Sequence, residues 1–241
     1  MRHLASRITE KVTRVLPPKV AARIDLFRPS LAAGFGPFNG QTCREAVVRS
    51  VLDAVPIDLV IETGTYRGTT TERLRAITKA PIVTIEASLR YYEYSRRRLA
   101  HLPRVEVLHG DSATTIRRMA SSSGHDPSIR VFAYLDAHWE SSLPARYEIL
   151  ELISGWNEFC AVIDDFKVPG DPGYAFDDYG PGAVLDATLF NRLPLEGVSL
   201  FYPTVLSADE TGHRRGWIVL GKGQVVVDGL RAIDKLALAS R

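Results

Sequence analysis

The stretch Ile57-Asp58-Leu59-Val60-Ile61-Glu62-Thr63-Gly64-Thr65-Tyr66-Arg67-Gly68-Thr69 decides the fold. A short β-branched run ends on an acid, two glycines permit a sharp turn, and an amphipathic segment begins at 69. Strand, tight turn and helix start therefore follow one another directly. Working outward, β-branched runs at 82–85, 105–108, 131–135 and 159–163 alternate with amphipathic segments near 88–99, 112–120 and 144–154. Continuous apolar strands separated by helices predict an α/β, doubly wound parallel sheet with helices on both faces. Two later runs, 198–202 and 217–220, are joined by the polar turn Ser207-Ala208-Asp209-Glu210-Thr211-Gly212 with no helix between, so they should pair antiparallel. No repeat or domain linker interrupts the pattern. One domain is expected over 41–241, preceded by a helical extension and link over 1–40.

Composition narrows the function. The 241 residues are 45% apolar and 24% charged, with net charge +2, which argues against disorder. No apolar run approaches the roughly 20 residues of a membrane-spanning helix. Cys43 and Cys160 cannot build a disulfide framework, and no secretory h-region precedes them. A soluble, cytoplasmic protein is expected. Residues 1–30 hold seven basic residues and two acids, so +5 sits there and −3 on the remainder. A mildly acidic body is a poor footprint for a nucleic-acid binder. Leu4, Ile8, Val12, Val15 and Leu16 can line one face of a basic amphipathic helix. Residues 1–16 could contact a membrane surface, or pack on the body or on a second subunit; homo-oligomerisation is left open. Pro17-Pro18 should end that helix, with a Gly-rich link after it. Thr42-x-x-Glu45 has capping-box spacing ahead of the stripe Val47, Val48, Val51, Leu52, Val55.

In an open α/β sheet, ligands sit outside the carboxyl ends of the strands. Acids recur there: Glu62, Glu86, Asp111, Asp136 and Asp164-Asp165, about one every 25 residues. The loop Glu62 to Thr69 lacks the G-K-[ST] of a phosphate-binding loop. Tyr66 fills the position where G-x-G-x-x-G has its second glycine, which obstructs a pyrophosphate and argues against a nicotinamide cofactor. Taken alone, the loop could equally be a tight structural turn. Glu86 could accept both hydroxyls of a ribose. Asp111 and Ser112 could approach an adenine amino group, cap the next helix, or do both.

As an ordered set, Glu62-x-Gly64-x-x-x-Gly68, Glu86, Gly110-Asp111 and the terminal antiparallel pair resemble the class I S-adenosylmethionine (SAM)-dependent methyltransferases over roughly 38–222. The resemblance implies a Rossmann-like, seven-stranded sheet whose last strand is antiparallel. It places Glu62, Gly64, Thr65, Tyr66, Gly68 and Thr69 around the methionine end of SAM. Glu86 would lie on the ribose, Asp111 and Ser112 near adenine, and Asp136 on the same rim.

The fourth and fifth runs end in Tyr134-Leu135-Asp136-Ala137-His138-Trp139-Glu140 and Val162-Ile163-Asp164-Asp165-Phe166. Adjacent strand ends lie about 5 Å apart, so three carboxylates should converge and repel one another. Mg²⁺ or another divalent cation on Asp136, Asp164 and Asp165 would remove the conflict. This pattern resembles the catechol-type and macrolide-sugar O-methyltransferases, including relatives labelled cephalosporin hydroxylases, in which a metal chelates two neighbouring acceptor oxygens. A metal can lower the pKa of bound water from about 15.7 to about 7, and a bound hydroxyl should shift the same way by less. His138, beside Asp136, is a candidate catalytic base, or else packs beside Trp139. The structural alternative is that Asp164 caps the next segment and Asp165 pairs with Arg or Lys.

The nucleobase amino-methyltransferase signature [DN]-P-P-[YF] is absent after the fourth run. The segment 167–182, rich in Gly, Pro and rings, is placed to form an acceptor lid, and Phe38-Asn39-Gly40-Gln41 could cover the cofactor from the other side. Asp177 and Asp178 should be exposed loop acids. The expected function is a Mg²⁺-assisted, SAM-dependent O-methyltransferase for a small hydroxylated acceptor, sugar-bearing or phenolic. The alternatives are a nucleotide-dependent oxidoreductase and a non-catalytic SAM-binding module.

Overall fold

The computed structural model describes residues 16–27, 36–137 and 143–239. The basic helix expected over 4–16 lies outside them apart from Leu16. The chain contains α1 (Pro18–Phe27), α2 (Thr42–Ala54), β1 (Leu59–Thr63), α3 (Thr69–Ile77), β2 (Ile82–Glu86), α4 (Leu89–Arg98), β3 (Val105–His109) and α5 (Ser112–Ala120). These are followed by β4 (Arg130–Leu135), α6 (Ala145–Gly155), β5 (Glu158–Asp164), β6 (Val198–Pro203), β7 (Trp217–Lys222), α7 (Gln224–Arg231) and β8 (Leu236–Leu238). The sheet order is β3-β2-β1-β4-β5-β7-β6-β8. Strands β1 to β5 pair parallel, and β7 runs antiparallel to both β5 and β6.

The doubly wound sheet is therefore as expected, with one strand more than seven. The short β8 pairs antiparallel with the outer side of β6. A second difference lies at Pro18, which opens α1 in a region read as a link after a proline stop. Proline suits the first helical position, because its missing N–H would have no partner there and its φ is already helical. Helix α1 is anchored on α4 by the Asp25 carboxylate, which accepts from Arg90 Nε and Nη2 at 2.8 and 3.0 Å. Among the described residues, no helix is long and apolar enough to cross a membrane.

Period-two alternation splits the core into two layers. Val60, Phe132, Cys160, Val162 and Val219 face α2, α3 and α7, packing on Val47, Val51, Leu74, Val226 and Leu230. Ile61, Ala133, Leu135 and Ile163 face α5 and α6, packing on Ile116, Ile149 and Leu152. The same alternation decides where polar side chains on these strands point. Glu62, Tyr134 and Asp164 share parity with the first set, so they face the α2 layer rather than open solvent.

The expected capping box on α2 does not form. Gln41 occupies the N-cap position, and its side chain makes no capping bond. The carboxylate of Glu210, buried 167 positions away in sequence, accepts from the Cys43 N–H at 3.0 Å, and its second oxygen accepts from Arg44 N–H at 3.1 Å. Glu45 turns outward to Arg73, whose Nε donates to it at 2.8 Å. An anion at a helix N-terminus satisfies orphan donors and complements the helix dipole. Replacing Glu210 with Ala should cost about 1–2 kcal/mol, in the range of lost N-caps. Thermal unfolding should show a melting temperature lower by roughly 2–8 °C.

Candidate active site

Loop 63–69 is built by backbone constraints. Gly64 N–H donates to Ile85 O at 2.9 Å and Gly68 N–H to Thr65 O at 2.7 Å. Both glycines have left-handed φ, 78° and 73°. A Cβ on Gly64 would lie 2.0 Å from the carbonyl oxygen of Asp136, and one on Gly68 would lie 2.8 Å from the Leu99 side chain. Their first duty is thus internal: Gly64 lets β1 and β4 close at their carboxyl ends, and Gly68 seats the loop on Leu99. Tyr66 also has positive φ, 47°, and its N–H donates to Glu86 Oε2 at 2.7 Å. Its ring lies 4.4 Å from that of Tyr91, centroid to centroid. Thr65 Oγ1 is 2.6 Å from Thr84 Oγ1, and Thr69 is the first residue of α3.

Glu86 is buried at the end of β2, and its other oxygen accepts from Ser88 N–H at 2.7 Å. Burial raises its pKa, while the backbone amides of Ser88, Tyr66 and Ala87, with His109, oppose the rise. A carboxylate offers about four acceptor positions, and among the described residues the Tyr66 and Ser88 amides occupy two of them. The remaining pair suits two neighbouring hydroxyls, so Glu86 fits a ribose. Glu62 is buried beneath α3 and accepts from Thr71 Oγ1 at 2.5 Å. Burial pushes its pKa up to about 7, with Thr71 opposing. Asp111 caps α5 by accepting from Thr114 N–H at 2.8 Å, and Ser112 is buried next to it. The capping alternative for Asp111 is realised; it leaves the second carboxylate oxygen for a ligand.

The register Leu135↔Ile163 sets Asp136 beside Asp164 on adjacent strand ends. Burial pushes the Asp136 carboxyl well above the ordinary range, and Asp164 and then Asp165 add to the rise. The three acids are therefore near enough for their charges to interact. Their surroundings differ from the expectation at Asp164. Its Oδ1 accepts from Arg44 Nη1 and from Asp165 N–H, the latter at 2.7 Å. Its Oδ2 accepts from Tyr134 Oη at 2.8 Å and Asn39 Nδ2 at 3.1 Å.

Arg44 and Asp164 are both fully buried. Arg44 Nη1 also donates to Tyr134 Oη at 3.1 Å, and Nη2 donates to Gln41 Oε1 and to Arg215 O, the latter at 2.5 Å. Burial, with Asp164 adjacent, raises the Tyr134 hydroxyl well above the usual phenol range, so it stays protonated and donates. Removing one partner of such a buried pair costs about 3–5 kcal/mol. Asp165 has φ 55°, and its Oδ1 accepts from Arg215 Nε at 2.5 Å. Burial and Asp164 raise its pKa to about 7 against the pull of Arg215. Arg215 Nη2 also donates to Asp177.

A divalent cation needs carboxylate oxygens with free lone pairs. All four acceptor positions of Asp164 are taken, and Asp165 is paired with an arginine, as in the structural alternative. The set Asp136, Asp164 and Asp165 does not fit such an ion. Among the described residues, no group of three His, Cys, Asp or Glu side chains is arranged to hold a metal. His138 lies outside the described residues. Asp177 is an ion-pair partner rather than a free loop acid. In the expected lid, Tyr174 is buried with its hydroxyl on Val205 O at 3.1 Å, while Tyr179 is exposed. Phe38 is buried 5.3 Å from Tyr134, ring centroid to ring centroid, so 38–41 serves the acid cluster.

Sequence reading missed Arg44, Tyr134, Arg215 and Glu148. Arg44 carried no local signal, because its partner is 120 positions away. Glu148 is fully buried on α6, and neither oxygen has a hydrogen-bond partner among the described residues. Burial pushes its pKa up to about 7, with the Ser112 and Thr63 hydroxyls opposing the rise.

No protein-family model matches the chain, and no curated protein does. Solved structures do. An O-methyltransferase from Bacillus cereus, in complex with SAH, matches at 17% identity and TM-score 0.56, over 92% of this chain and 100% of that one. A caffeoyl-CoA O-methyltransferase described as putative, from Staphylococcus aureus, matches at 12% identity and TM-score 0.54, over 91% and 100%. The SAM-bound amino pentose methyltransferase CalS10 from Micromonospora echinaspora matches at 14% and 0.51, over 75% and 91%. The shared feature is the fold: this chain has the Rossmann-like methyltransferase sheet.

Two predictions follow from this geometry. Gly64→Ala should lower the melting temperature of the ligand-free protein more than Gly170→Ala, which has similar φ, 80°, but nothing within 4 Å of its Cβ. The difference between the two isolates the Asp136 contact. Glu62 and Glu148, raised from 4.5 to about 7, bind protons in the folded chain that the unfolded chain has released. Their stabilisation is complete below pH 4.5 and is lost as pH rises through about 7. Glu148→Gln should therefore flatten the fall in melting temperature between pH 5 and 8, measured at about 0.5-unit steps.

Proposed function

We propose that this chain is a SAM-dependent O-methyltransferase acting on a hydroxyl of a small molecule. The observation that carries this is Glu86: a buried carboxylate at the end of β2, with acceptor capacity left for two hydroxyls, on a methyltransferase sheet. SAH or SAM in structures of the same fold supports the choice of cofactor. When bound, SAM supplies a methyl group on a positively charged sulfur. Glu86 would hold the ribose, the loop of Glu62, Gly64, Thr65, Tyr66, Gly68 and Thr69 the methionine end, and Asp111 with Ser112 the adenine.

Of the three acids after β4 and β5, Asp164 and Asp165 are paired with arginines, and Asp136 makes no ion pair among the described residues. Its place at the end of β4, beside Asp164 and Asp165, makes it the first candidate to take the acceptor proton in its ionised form as the methyl group is transferred. His138, next on the same segment, is the second candidate base. No step runs through a divalent ion, because Asp164 has no acceptor position to give.

Isothermal titration with SAH tests the reading. The wild type should bind, and Glu86→Gln should bind roughly ten-fold more weakly, the loss of one hydrogen bond to a charged group. Mass spectrometry of a panel of phenols, catechols and sugars incubated with SAM should then show a mass gain of one methylene. NAD binding in place of SAH would overturn the proposal in favour of an oxidoreductase. SAH binding with no methylated product from any acceptor would favour a non-catalytic module.

A further inference from the structure

The acid cluster contains its own counter-charge. Asp164 receives Arg44, while Asp165 and Asp177 share Arg215. The two arginines belong to one network: Arg215 O accepts from Arg44 Nη2 at 2.5 Å, and Gln41 Oε1 accepts from both Arg44 Nη2 and Arg215 N–H. Their two positive charges equal those of one divalent ion. They come from distant parts of the chain, Arg44 from α2 and Arg215 from the turn before β7, and they meet where the carboxylates would otherwise repel.

We propose that Arg44 and Arg215 are positioning residues that take the electrostatic place of a divalent cation, so that the site works without metal. This rests on reading the rim as a methyl-transfer site. The consequence is a substrate class. Chelation of a vicinal diol needs an ion with open coordination positions, and a guanidinium has none. Both Nη atoms of Arg44 already donate to protein acceptors inside the fold. The acceptor is then held through a single hydroxyl directed at Asp136, and a monophenol or isolated alcohol serves as well as a catechol.

Metal response tests this independently of turnover. Calorimetric titration of the wild type with MgCl₂ or MnCl₂ should give no binding heat. EDTA should alter neither the SAH-induced rise in melting temperature nor methylation of a monophenol. In Arg215→Met, Asp165 and Asp177 lose their cation, so millimolar Mn²⁺ should raise the melting temperature of the variant and leave the wild type unmoved. Arg215→Lys should behave as wild type. Arg44→Met should respond like Arg215→Met if it folds; Arg215, which is partly exposed, keeps the test alive if it does not.

Stoichiometric Mg²⁺ or Mn²⁺ binding to the wild type would overturn the proposal. So would EDTA abolishing transfer while SAH still binds, a metal-indifferent Arg215→Met, or activity confined to catechols. Failure of the wild type to bind SAH at all would sink the methyltransferase reading, while the metal response of Arg215→Met would still report on the arginines.

Discussion

Arg44 and Asp164 meet inside the protein with neither side chain reaching solvent, and the rim is arranged around that pair. A carboxylate held in such a place needs compensation on every lone pair. Asp164 obtains it from a guanidinium, a phenol, a side-chain amide and a backbone amide. Each donor is fixed in turn by a different element: Arg44 by α2, Tyr134 by β4, Asn39 by the turn before α2, and Asp165 by its own left-handed backbone. Such a network locks the carboxyl ends of β4 and β5 against the second helix. Asp136 stands at the edge of the lock without an ion-pair partner among the described residues.

The loop after β1 follows the same economy. Its glycines are required because other parts of the protein come too close for a side chain, at Asp136 O and at Leu99. Tyr66 accepts a left-handed backbone because Glu86 holds its N–H. The carboxylate proposed to hold a ribose is therefore also the one that stabilises the turn.

Most of the fold was legible in the sequence because parallel strands buried on both faces read as unbroken β-branched runs. The helices between them were legible by their three-and-four periodicity. Strand-end acids stood out by their regular recurrence. What stayed hidden depended on contacts between distant positions. Glu210 displaced Thr42 and Glu45 as the cap of α2, and no local spacing connects it with Cys43. Arg44 looked like one polar residue in a helix start. Pro18 looked like a stop although it sits where a helix tolerates proline. Asp164 was read as a rim residue facing the ligand; its shared parity with Cys160 and Val162 turns it inward under α2. The alternation was available in the sequence, but which face α2 would cover was not.

The Glu210 cap has a bearing on assembly order. Helix α2 belongs to the opening stretch of the domain, whereas the groups that satisfy its first turn and its buried arginine stand at 164, 210 and 215. During synthesis from the N-terminus, the polar partners of the α2 start emerge only after β1 through β5 and the long excursion beyond them. Contacts of such sequence separation form late and slow the search for the native state. The apolar stripe Val47, Val48, Val51 can settle early on β1 and α3, but the first turn of α2 and its buried arginine gain their polar partners only when the segment 210–215 arrives.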